Sequence, residues 1–135
     1  MHSDKPLWLR TLALTAFLSM LFGLIHISDA IVRAEIGGPA LENIDATGNA
    51  LFAVVYLVGI ALSWNERRSG FLLVLVLSAL SSWGFFGHAT GITPPNLTEI
   101  GRISGAFFVF VVLAGAVASV SAVLLSVYTL SKRRN

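Results

Sequence analysis

The sequence has no cysteine, which excludes disulfides, thiolate metal sites and thiol redox chemistry. Charge is scarce too. Nine Lys and Arg and seven Asp and Glu make 12% of 135 residues, with a formal net charge of +2. A soluble domain so poor in charge would lack a solvating surface. No Ser-His-Asp order, HxxxH or HExxH metal spacing, Gly-rich phosphate loop or basic–aromatic pattern is present. The pI near 9.5 comes from basic residues at the ends of apolar runs, where they set topology and do not form a phosphate-binding patch. Nucleic acid is therefore not an expected partner.

What fills the chain is apolar. Hydrophobic residues make up 56%, in four long blocks, and the mean hydropathy is +0.81. A bilayer crossing takes roughly 20 such residues. The pattern predicts an all-α, integral membrane four-helix bundle, one domain over residues 1–135, with the lipid bilayer as its first partner. Expected helices cover about 7–30, 39–64, 71–88 and 94–130. Pro39 follows Gly37-Gly38 and suits a helix start, where its missing N–H costs nothing. Asn65 to Gly70 reads as a tight polar turn, and Ile31 to Ile44 as a loop. Pro94-Pro95 is placed to open the fourth helix after a Thr93 cap. A rival reading of the first block is a secretory signal, with Lys5 and Arg10 before an apolar core and Ser28-Asp29-Ala30 as a cleavage site.

With four spans, both termini and the Glu66–Ser69 turn share one side. That side holds Lys5, Arg10, Arg67, Arg68, Lys132, Arg133 and Arg134, against Arg33 and Arg102 on the other. The positive-inside rule then predicts a cell-membrane protein with both termini cytoplasmic. The two hairpins also look alike. A shift of 57 pairs Glu42 with Glu99, Thr47 with Ser104 and Gly48 with Gly105, as expected for two parallel repeats about an axis along the membrane normal.

The stretch that points most directly to function is Phe22 to Arg33. It sets His26 and Asp29 three residues apart, on one helix face at membrane depth. Ionisable groups there are costly and by default mark a working site. Thr15, Ser19, Phe22, His26, Asp29 and Arg33 form a seam on the first helix. Asp45, Asn49, Phe52, Tyr56, Gly59 and Ser63 form its counterpart on the second, and Ser78, Ser81, Phe85 and His88 on the third. The fourth offers Gly101, Gly105, Gly115 and Ser119 for close approach, the first two as a GxxxG.

Three chemistries fit these residues. His26, His88 and Asp29 suit a transition metal, with Glu42, Asp45 and Glu99 near in depth. Paired His26 and His88 suit a haem held from both sides. Glu42, Asp45, Glu99 and Arg102, with Asn49 and Tyr56 leading inward, suit an acceptor of protons or cations. Against each stands a plain structural role: histidines bonded across the seam, and glutamates answering a helix dipole. Asn96-Leu97-Thr98 matches a glycosylation acceptor.

Leu9-Arg10, Phe22-Gly23-Leu24 with His26, Pro39-Ala40-Leu41, Gly59, the short basic turn, and His88 with Gly91 together resemble the small four-helix membrane proteins of the DoxX-like group. Where that group has a glutamate in its second helix, this sequence has Leu51 and Phe52. The resemblance implies the four-helix architecture and, through similarity to subunits linked with quinone-coupled sulfur oxidation, a redox subunit as one alternative. The expected function is an accessory or ligand-binding membrane protein with a polar pocket near the outer leaflet. A haem- or metal-bearing redox subunit and a small transporter are the alternatives, and a homo-oligomer or larger membrane complex the expected assembly.

The charge distribution yields a direct test of orientation. A fluorescent protein fused after Asn135 should glow in the cytoplasm, whereas a dark fusion with periplasmic reporter activity reverses the topology.

Overall fold

A computed structural model of the chain describes residues 5–35 and 46–132. Among these residues the structure is all-helical, with no strand. It comprises α1 (Leu7–Glu35), α2 (Ala46–Trp64), α3 (Arg68–Thr90), α4 (Leu97–Ser104) and α5 (Ala106–Lys132). Four of the five, α1, α2, α3 and α5, are long and apolar enough to cross a membrane. Large side chains such as Trp83 (75% exposed), Val117 (70%) and Leu80 (62%) cover the outside. An exterior of this kind is matched to acyl chains rather than water.

The helices form an antiparallel square. α1 and α3 each pack against both α2 and α5, and they also touch each other across the shorter diagonal. The Lys5 ammonium lies 3.1 Å from the Glu66 carboxylate, which brings the start of α1 beside the α2–α3 turn. This is the polar-turn end of the bundle. His26, late in α1, and His88, late in α3, stand at the opposite end.

Close packing at the polar-turn end depends on Gly70. A Cβ there would collide with the Ser63 backbone nitrogen and lie 2.5 Å from the Leu62 carbonyl carbon. Leu9, Leu12, Tyr56, Phe71 and Val74 fill the core above it. Toward the histidine end the core is smaller, built on Phe85, Ile100, Val112 and Ala116. There Gly115 lets the Phe85 ring lie directly on α5, in space a Cβ would occupy.

The structure departs from the expected helices in four places. α1 runs on through Glu35, so 31–35 is helix, not loop, because Ile31 and Val32 continue the apolar run. α3 extends at both ends and closes on Gly91, whose φ of 76° supplies the left-handed turn. The fourth helix is two helices. Gly105, at φ 88° and ψ 170°, breaks it after Ser104, so Gly101 and Gly105 are not a membrane packing motif; a Cβ at Gly101 would meet Val109 of the adjoining α5. The start is capped by Asn96 rather than Thr93. Its side chain accepts from Glu99 N–H at 3.0 Å, while the Glu99 carboxylate accepts from Asn96 N–H at 2.9 Å. On α1 the deepest line is Leu12, Ala16, Ser19, Gly23 and Ala30, one position away from the expected seam except at Ser19. Thr15 turns back to bond the Thr11 and Leu12 carbonyls of its own helix. The expected helix start at Pro39 lies outside the described residues.

Gly70→Ala should lower the melting temperature in mild detergent, by an overpacking cost of about 1–3 kcal/mol. Gly84→Ala, where a Cβ meets nothing within 4 Å, should leave it unchanged or raise it. Equal melting points for the two variants would refute the close hairpin.

Candidate functional site

The square arrangement brings one residue from each diagonal helix into contact at the histidine end. His26 Nε2 and His88 Nε2 are 3.1 Å apart, with ring centroids at 4.8 Å and planes crossing at 68°. The second nitrogen of His88 fixes the protons. Nδ1 lies 2.8 Å from the Pro95 carbonyl oxygen, which can only accept, so Nδ1 carries the hydrogen. In the neutral ring, Nε2 of His88 then presents a lone pair, and His26 Nε2–H donates to it. The segment after α3 is what delivers that carbonyl: Gly91 reverses the chain, and Thr93 N–H bonds the Gly87 carbonyl at 2.9 Å. Phe85 packs beside His26, with centroids 5.9 Å apart.

Below the pair lies a cavity of about 400 Å³ lined by Gly23, His26, Phe52, Leu80, Phe85 and His88 among others. Its remaining polar groups are the Ser81 and Thr93 side chains. Gly23 and Gly84 leave room on two walls, since no bulky side chain rises from either. The site is therefore a half-open, largely apolar pocket with the two imidazoles in its wall.

The other candidate residues are placed elsewhere. Asp29 accepts a 2.8 Å hydrogen bond from Ser104 Oγ, tying α1 to the end of α4. It borders a separate shallow groove with Ser28 and Phe108. Asn49 is buried and donates to Ser28 Oγ at 3.3 Å. Tyr56 is fully buried in the middle of the bundle. Its hydroxyl donates to Ser19 Oγ at 3.0 Å and accepts from Ser78 Oγ at 2.6 Å, linking α1, α2 and α3. Glu99 is taken up in the α4 cap. Glu42 and Asp45 lie outside the described residues. Among the described residues no three His, Asp or Glu side chains converge as a metal cluster, so Asp29 does not join the two histidines. A haem axially held by both histidines would need the two rings farther apart than they stand. Its iron would stand between the two rings, and an Nε2–Nε2 contact of 3.1 Å leaves no space for a porphyrin.

Sequence reasoning put Ser81 on the inward face of the third helix, but it missed Gly84 and read Thr93 and Pro95 only as the start of the next helix. The order His88, Gly91, Pro95 was the available signal: a turn after a helix-terminal histidine brings a carbonyl back to it. Comparisons with family models, curated proteins and solved structures find no match to this chain.

The geometry separates stability from ligand contact. Tyr56→Phe removes the hydroxyl shared by Ser19 and Ser78 and should cost about 0.6–1.7 kcal/mol, the range for hydrogen bonds between membrane helices. A melting temperature unchanged from wild type would show that the three-helix junction contributes nothing.

Proposed function

We propose that this chain is a small multi-pass protein of the cell membrane, both termini cytoplasmic, that holds one small and largely apolar ligand in the chamber beneath His26 and His88. It acts as a binding or accessory protein and not as an enzyme by itself. The observation that carries this reading is the chamber itself. Some 400 Å³ of largely apolar space is bordered by two imidazoles in contact. Binding sites for small molecules combine such volume with a few placed polar groups. The imidazoles, Ser81 and Thr93 would orient a polar head, while Phe52, Leu80 and Phe85 would contact an apolar body. In the proposed orientation the chamber lies toward the outer leaflet, because the Lys- and Arg-rich ends lie opposite.

The proposed twofold relation of the two hairpins supports the same reading. An axis along the bundle would exchange α1 with α3 and α2 with α5, which are the two diagonals of the square. His26 and His88, which need a shift of 62 and not 57 because the first outer loop is longer, would then be counterparts meeting near that axis. The DoxX-like resemblance enters as support for the architecture alone.

Native mass spectrometry and solvent extraction of protein purified from membranes test the proposal. Wild type should carry a small molecule, and Gly84→Phe, which fills the chamber from an open wall, should carry at least tenfold less at an unchanged melting temperature. Wild type and variant that carry the same small molecules in equal amount, or none, would overturn it.

A further inference from the structure

We propose that His26 and His88 form a two-histidine site for a divalent transition metal ion of the zinc, copper or nickel kind, with the ion's remaining positions facing the chamber. Three observations point to it. The first is distance. At zinc–nitrogen bond lengths of about 2.0–2.1 Å, two nitrogens on one tetrahedral ion lie about 3.3 Å apart. The two Nε2 atoms stand at 3.1 Å, close to that separation, and both rings must tilt so that each lone pair turns from the other nitrogen to a shared ion. The second is the outer partner of His88. Metal-ligating histidines donate their other ring N–H to a carbonyl or carboxylate, which fixes the tautomer and aims the lone pair. His88 Nδ1–H does this to Pro95 at 2.8 Å, leaving the Nε2 lone pair directed at His26. The third is space. Chelation by two side chains leaves positions for water or another donor, and both histidines border a pocket with room for them.

Proton balance sets the chemistry. Without metal, His26 Nε2–H donates to His88 Nε2. Metal binding requires both lone pairs, so the His26 proton leaves Nε2 and the ring takes up its Nδ1–H tautomer. Both imidazoles stay neutral, and no net proton is released. Imidazole favours zinc, copper and nickel over magnesium or calcium, which prefer oxygen. Among the described residues Asp29 forms no metal-holding cluster with the two histidines, and it accepts from Ser104 at the end of α4.

The proposal does not depend on what fills the chamber. Full-length protein in mild detergent, stripped with chelator, is titrated with zinc chloride and then with cobalt chloride. Wild type should bind one zinc per chain, melt at a higher temperature with zinc, and give the intense visible bands of tetrahedral cobalt. His26→Gln and His88→Gln keep a polar side chain and should each bind zinc at least about tenfold more weakly, losing a direct ligand where loss of an outer partner alone costs about 10–100-fold. Asp29→Asn should bind as wild type does. Wild type that takes up less than one zinc per chain and shows no cobalt bands overturns the site, whether or not the variants fold. Stoichiometric zinc that survives both glutamine variants overturns it as well. If zinc fails while the small molecule lost in Gly84→Phe remains bound, the metal site falls and the chamber reading stands.

Discussion

A bilayer interior offers no water to a buried polar group, so each such group must find its partner inside the bundle or on its own helix. Several polar side chains in this chain follow that constraint, although the buried Ser63 and Ser126 hydroxyls have no hydrogen-bond partner among the described residues. Thr15, Ser82, Ser119 and Thr129 return to carbonyls of their own helices, which costs no neighbour a place. Tyr56 is too long for that solution and reaches across to Ser19 and Ser78. The phenol has one proton and a lone pair, and the two serines use both. Three helices are thereby registered at one depth near the middle of the membrane. The histidine end follows the same rule less economically: two rings need both each other and the Pro95 carbonyl, and the chain must turn back after α3 to provide it.

The two ends of the bundle therefore differ in kind. At the polar-turn end, Gly70 brings α2 and α3 into backbone contact, and large apolar residues fill the interior. At the histidine end, Gly115 lets the Phe85 ring lie against α5 while it borders the pocket beside His26. A protein interior normally packs without voids larger than a water molecule. The half-open pocket at this end leaves side-chain contacts unmade that Leu or Phe at position 23 or 84 would add, and it lies where the two ionisable rings meet.

Much of the fold was legible because spanning length and charge placement are strong signals. The second-helix line Asn49, Tyr56, Gly59 and Ser63 is the buried face observed. Spacing alone, however, did not distinguish residues lining a chamber from residues tying helices together, since both must face inward. Tyr56 and Asp29 thus shared a pattern with His26 but have different neighbours. The break at Gly105 was obscured because the apolar residues Ile100, Ile103 and Phe107 carry the helical pattern straight through it. Its signature was local: Asn96-Leu97-Thr98-Glu99 is a capping box, and the eight residues it opens are strongly amphipathic, unlike the uniformly apolar α5. A short amphipathic helix suits the membrane surface, whereas its continuation suits the interior. The glycine lets the chain change direction between them.

The contact between His26 and His88 was foreshadowed by depth but not by sequence distance. Both sit near the same end of their helices, yet 62 positions separate them, and in a square bundle equal depth alone allows a neighbour or a diagonal. The diagonal is the informative outcome. Adjacent helices meet along their whole length and can bury a histidine pair anywhere. Diagonal helices approach only through the central axis, where packing would otherwise place aliphatic side chains. Two imidazoles in that position replace core with polarity at the bundle's narrowest crossing. Stability gives no reason to prefer them there, because apolar residues of the same volume would fill the same space and need no carbonyl from the following turn. What the arrangement gains is a pair of nitrogen donors fixed at chelating distance beside an open volume.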